Sequence, residues 1–110
     1  PTRQMMSRLD GWITALRRDQ GPSRAHTPVH EQLQVEDRII SKINPLVRWT
    51  KEEIWRHIFA HDLPYNPLKD QGYASVGCAP CTQPATNPDD ERSGRWAGRQ
   101  KTECGLHTAL

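Results

Sequence analysis

The sequence predicts an α/β domain that gives way to an irregular C-terminal tail. Three observations carry this reading. The runs "GWITAL" and "DRIISKINPL" are short and rich in β-branched residues, as strands are. The segment "TKEEIWRHIFAHDLP" has the marks of a capped amphipathic helix. From "NPLKDQGYASVG" onward Gly and Pro recur and apolar periodicity fades.

Taken in order, "PTRQMMSRLD" spaces Met5, Met6 and Leu9 for one apolar helical face, without a cap. "GWITAL" then reads as a buried strand whose C-terminal end is marked by Arg17, Arg18 and Asp19. In open α/β sheets, ligand groups gather at that edge. "GPSRAHTP" holds Gly21, Pro22 and Pro28 and reads as a loop within the domain. In "DRIISKINPL", Ile39, Ser41 and Ile43 alternate with Ile40 and Lys42 until Pro45 stops the strand. Thr50 and Glu53 then form a capping box, Ile54, Trp55, Ile58 and Phe59 a core-facing stripe, and Pro64 lies past the helix end. The last third is irregular, with one short helical turn after Pro80.

Composition narrows the function. At 110 residues the chain is one domain at most, yet only 35% of it is apolar, with a single Phe. Its mean hydropathy is −0.84, which leaves three accounts of the weak core: partial disorder, a tie through metal or cofactor, or membership in a larger fold. A net charge of +2 is too small to make a nucleic-acid surface the default, so no nucleic-acid partner is expected. The arginines do cluster, in "ALRRDQGPSR" and "ERSGRWAGR", as local pockets for phosphate or sulfate would need. No apolar run reaches bilayer length and no signal-peptide core is present, so no membrane partner is expected and the expected location is cytoplasmic. An odd cysteine count with a CxxC fits a reducing compartment.

Cys78 and Cys81 sit in "GCAPC", where two intervening residues let both thiolates face one centre. Three fates are open: ligands of an iron-sulfur cluster, ligands of zinc completed by His57 and His61 at i, i+4, or a dithiol couple of thioredoxin type. The third cysteine differs. Cys104 has Glu103 before it and His107 three residues on, with Arg95, Arg99 and Lys101 just upstream. Cationic neighbours favour the thiolate of a group whose unperturbed pKa is about 8.5.

These residues match a known pattern. "KTECGLH", with "GCAPCT", "ERSGRW" and "GWITALRRDQ", resembles the assimilatory sulfonucleotide reductases, and within them the cluster-containing adenylyl-sulfate reductases of bacteria. The match runs from about Gly11 to His107, and the Glu-Cys-Gly-Leu-His tail is its most specific part. The resemblance implies the C-terminal part of an adenine-nucleotide-binding, parallel-sheet α/β domain over residues 1–76. It implies a cluster-ligand loop, arginine loop and catalytic tail over residues 77–110. It further implies thioredoxin-dependent reduction of adenylyl sulfate to sulfite and AMP. Cys104 would be the nucleophile that forms an S-sulfocysteine, and Cys78 and Cys81 two of four ligands to a 4Fe-4S cluster. Arg92, Arg95, His107 and Arg17 or Arg18 would contact the substrate.

Full-length members carry a further cysteine pair upstream of "WITALRR", preceded by a phosphate loop and an adenine pocket. These do not occur in this sequence, so the chain is expected to be an incomplete piece and inactive alone. The family admits a homo-oligomer. The related phosphoadenylyl-sulfate reductases share the tail but generally lack the cluster cysteines, so Cys78 and Cys81 favour the unphosphorylated substrate. The alternative from another class is a small zinc-organised, anion-binding module built on Cys78, Cys81, His57 and His61.

Overall fold

A computed structural model of the chain describes residues 2–105. Helix α1 spans Thr2–Met6 and places Met6, only 3% exposed, in the core. Strand β1 is Gly11–Ile13, β2 is His30–Val35 and β3 is Arg38–Ile43. They form one sheet in the order β1-β3-β2, parallel between β1 and β3 and antiparallel between β2 and β3. The expected parallel sheet is therefore parallel along one of its two pairings.

Register explains which side chains meet. Trp12 lies opposite Lys42, and Leu33 opposite Ile40, so one face carries Trp12, Leu33, Val35, Ile40 and Lys42. Met6, Val35 and Ile40 form the buried cluster there, with Trp12 and Leu33 packed against it. The other face carries Ile13, Ile39 and Ile43, which stay exposed. Lys42 is 3% exposed and survives burial because its ammonium sits 2.6 Å from the Glu31 carboxylate and over the Trp12 ring.

β2 is absent from the sequence reading, although Leu33 and Val35 alternate with Gln32 and Gln34. It turns into β3 through Glu36 and Asp37, with Glu36 at φ 57°. A glutamate rarely occupies that left-handed conformation, so "VEDR" lacks the Asn-Gly or Asp-Gly signal of a two-residue hairpin.

Helix α2 spans Lys51–Ala60 and is capped as anticipated. The Thr50 hydroxyl accepts from the Glu53 amide at 3.2 Å, and the Glu53 carboxylate accepts from the Thr50 amide at 2.7 Å. Its apolar stripe is not core. Ile54, Trp55 and Ile58 are half-buried and Phe59 is 67% exposed. Trp55 packs within a local aromatic group, stacked on Phe59 and edge-on to Tyr65. No helix among the described residues is long and apolar enough to cross a membrane.

The C-terminal edge of the parallel pair is held by polar groups. Asn44 is fully buried, donating to the Pro28 carbonyl at 2.9 Å and the Glu31 carboxylate at 3.0 Å, and accepting from the Thr14 hydroxyl. Beyond that edge the chain leaving β1 runs through two short 3-10 turns, Arg18–Gln20 and Pro22–Arg24. These turns form one wall of the candidate site.

Candidate functional site

A cleft of about 400 Å³ opens between the turn at Gln20 to Ser23 and the segment from Asp90 to Thr102. Arg92, Arg95, Arg99 and Lys101 line it, with Trp96 at its base. Trp96 is 5% exposed and has φ 50°, a strained conformation for a bulky residue. Three cations lie over its ring: Arg95 at 4.5 Å, Arg92 at 5.3 Å and Lys101 at 5.8 Å from the centroid. The indole face gathers guanidinium groups that would otherwise repel one another. Burial, and then the charge of Arg24, push the Arg92 guanidinium below its ordinary range, with Glu103 opposing them. It remains a cation at physiological pH.

The loop that presents these arginines is closed on itself. Thr82 pairs with Arg95 in an isolated bridge, Gln83 donates its amide to the Gly94 carbonyl at 2.8 Å, and Trp96 donates to Cys81 at 3.1 Å. The Ser93 hydroxyl accepts from the amides of Thr86 and Asn87. Gly94 is buried, and a β-carbon there would stand 2.1 Å from the Gln83 carbonyl oxygen, so the close approach requires glycine.

Cys78 and Cys81 bracket a 3-10 turn, Ala79–Cys81, and neither is in a disulfide. Thr82 clamps this turn, its hydroxyl accepting from the Gly77 amide at 3.1 Å and donating to the Cys78 carbonyl at 2.9 Å. The turn is wired to the arginine loop. Arg95 donates to the Cys81 carbonyl at 3.3 Å and to the Ser75 hydroxyl at 3.3 Å, and Gly77 leaves the space its guanidinium fills. Arg95 thus joins three stretches of chain as well as facing the cleft. Arg95→Ala is expected to cost about 2 kcal/mol in chemical denaturation. An unchanged denaturation midpoint would show that these contacts do not hold the loop together.

The tail returns along the same wall. Thr102 lines the cleft, the Glu103 side chain that follows is 8% exposed, and Cys104, half-buried, comes two residues after Thr102 in the chain. His107 lies outside the described residues. A cation-lined cleft, a CxxC turn bonded to one of its arginines and, two residues past the last cleft-lining residue, a free thiol all fall within 27 residues of chain, from Cys78 to Cys104.

Comparison with known proteins shows the family of the chain. Residues 1–84 match the profile of the phosphoadenosine phosphosulfate reductase domain. The chain belongs to that family. It is 50% identical over 110 residues to an adenosine 5'-phosphosulfate reductase of Geobacillus kaustophilus, covering 99% of the chain and 46% of that relative. It is 53% identical over 108 residues to adenosine 5'-phosphosulfate reductase 1 of Bacillus subtilis, covering 97% and 45%. The corresponding figures for the Salinibacter ruber protein of that name are 50% over 111 residues, 99% and 43%. The chain spans less than half the length of these curated relatives.

In this phosphoadenosine phosphosulfate reductase domain the two early arginines are engaged away from the cleft. Arg17, 7% exposed, donates to Asp19 at 2.9 Å and Glu91 at 2.7 Å. Arg18 is exposed and donates to the Thr27 carbonyl at 2.9 Å. Neither lines the cleft of Arg92 and Arg95. Arg17 instead borders a second cleft of about 430 Å³ with Lys51, Lys69, Glu91 and Trp55. Burial pushes the Lys69 amine below its usual range, Arg17 and Lys51 adding to this and Glu91 opposing it.

The zinc-organised module is not formed. His57 and His61 lie together on α2, ring centroids 4.4 Å apart, with His57 also edge-on to Trp49. Among the described residues no group of three His, Cys, Asp or Glu side chains is placed to hold a metal ion. His57 and His61 are therefore not grouped with Cys78 and Cys81 as that module would require. A thioredoxin-type couple is also unsupported locally, because Cys78 opens a three-residue 3-10 turn and not a helix whose dipole would favour its thiolate.

Sequence reasoning did not single out Arg24 or Trp96, nor the pairing of Glu103 with Arg24. Arg24 is 7% exposed and pairs with Glu103 across 79 positions, a separation at which no local pattern operates. Trp96 had a signal, a tryptophan between two arginine-bearing stretches in "ERSGRWAGR".

Proposed function

We propose that this chain carries the nucleophile-bearing portion of an adenylyl-sulfate reductase. The observation that supports this reading is the cleft in which Arg92, Arg95 and Lys101 surround Trp96, with Thr102, two residues before Cys104, in its lining. Its chemistry suits a dianionic phosphosulfate: guanidinium groups pair with oxygens in forks, and a cluster of them orients the sulfate while stabilising charge on the departing phosphate.

In the proposed reaction the Cys104 thiolate attacks the sulfate sulfur. A sulfur–sulfur bond forms, the sulfur–oxygen bond to the nucleotide phosphate breaks, and AMP leaves with that electron pair. A thioredoxin thiolate then attacks the Cys104 sulfur, releasing sulfite with the bonding pair and leaving a mixed disulfide. The second thioredoxin thiol resolves it, so thioredoxin is oxidised and Cys104 returns as a thiol. Arg92 and Arg95 hold the anion through both transfers, and His107 is assigned to the same substrate contact.

Cys78 and Cys81 fit half of the ligand set of a 4Fe-4S cluster: both thiols are free, they sit on one tight turn, and they are exposed or half-buried. When bound, such a cluster would supply a fixed local charge next to the Arg95 that the turn holds. The cysteine pair favours the unphosphorylated substrate over its 3'-phosphorylated relative.

The intact protein, given adenylyl sulfate and reduced thioredoxin, is expected to release sulfite and AMP in equal amounts and to contain iron with acid-labile sulfide. Release of neither product overturns the reading. Faster turnover of the 3'-phosphorylated substrate overturns the substrate assignment alone.

A further inference from the structure

We propose that Glu103 is a positioning residue that docks the cysteine-bearing tail onto the anion cleft. This rests on the reading above of Cys104 as nucleophile, but the docking itself is argued from contacts. The Glu103 carboxylate meets Arg24 as a fork, accepting from Nε at 2.6 Å and from a terminal nitrogen at 2.9 Å. The third Arg24 nitrogen donates to the Gln20 side chain, so all three serve protein acceptors. Arg24 is therefore an anchor and not a ligand-facing cation.

The same carboxylate also accepts from Arg92 at 2.7 Å. Arg92 makes this bond, and a 3.2 Å bond to the Thr102 carbonyl, through a single nitrogen, while its guanidinium lines the cleft and lies over Trp96. All three side chains are withdrawn from water, Arg24 at 9%, Arg92 at 12% and Glu103 at 8% exposure. Only a carboxylate can satisfy both guanidinium groups at once: it has two oxygens with several lone pairs and a charge to balance theirs, whereas an amide offers one oxygen. One peptide bond separates this anchor from Cys104. The anchor ties the thiol to the turn that follows β1 and to an arginine that faces the anion.

The test reads thiol accessibility in the intact protein, by iodoacetamide labelling resolved for each cysteine. Glu103→Gln is expected to speed labelling of Cys104 about ten-fold and leave Cys78 and Cys81 unchanged. That step is the loss of a charge-assisted fork. Arg24→Gln is expected to match it, and the double variant to be no faster than either single one. Glu103→Asp keeps the charge and is expected to restore most of the protection.

An unchanged Cys104 rate, or single effects that multiply in the double variant, overturns the docking. If Glu103→Gln accelerates all three cysteines, Glu103→Asp is scored, and a uniform rise there makes Glu103 merely structural and overturns the proposal. Sulfite assays separate the two readings. Selective Cys104 exposure in a protein that makes no sulfite keeps the docking and discards the nucleophile. Where sulfite is made, Glu103→Gln is expected to lower kcat more than it raises KM for adenylyl sulfate.

Discussion

Cys104→Ser is expected to lower sulfite release from adenylyl sulfate on the order of 10³-fold or more, with the fold intact. A thiol with an unperturbed pKa of about 8.5 has an appreciable thiolate fraction near neutrality, whereas a serine hydroxyl has none of consequence. The side chain is half-buried at the end of the described segment, so exchanging sulfur for oxygen removes little packing. Mass spectrometry of the tail peptide after incubation with adenylyl sulfate and no reductant supplies the direct measurement. The unaltered protein should gain a sulfonate on Cys104, and the variant none. An adduct that persists in the serine variant places the nucleophile elsewhere.

The largest expected structural effect belongs to Gly94→Ala. A methyl there would lie 2.1 Å from the Gln83 carbonyl oxygen, 2.9 Å from that of Pro84 and 3.0 Å from the Gln83 carbonyl carbon. All three are backbone atoms in a bridge that closes the arginine loop, so no side chain can swing aside to make room. Opening the bridge also releases Trp96 from Cys81 and unseats the cations over its ring. The expected cost is about 3 kcal/mol, a fall in Tm of roughly 10 to 20 °C for a domain of this size, together with loss of sulfate binding. Gly98→Ala is the control. Gly98 has φ +76° but nothing within 4 Å of its missing β-carbon, so only local strain of about 1 kcal/mol is expected. If the two variants melt alike, the close approach at Gly94 is not real.

Local elements were legible because their causes are local. The Thr50 and Glu53 side chains reach only three residues along the chain, and the helix they cap begins at Lys51. The β-branched runs placed β1 and β3 within a few residues, and Pro80 marked the single 3-10 turn at the cysteines. β2 escaped because its turn uses Glu36 in a conformation its side chain does not advertise. Trp55 misled for a different reason. An apolar stripe states that a face wants a partner, and it does not state that this chain holds one; here the stripe stays half-buried, Trp55 packing on Phe59 and Tyr65 and bordering a cleft.

The site divides in the same way. Residue types and short spacings drew attention to Cys104, the Cys78 and Cys81 pair and the arginine cluster around Arg92 and Arg95, but left their roles open, and it was the family resemblance of the motifs that assigned them. Folding alone could settle which cations are available. Arg17, Arg24 and Arg92 all meet carboxylates of the C-terminal stretch, Glu91 or Glu103, yet of the three only Arg92 also lines the cleft. Pairings across 74 and 79 positions depend on chain closure and burial, and neither leaves a periodic trace in an amino-acid string.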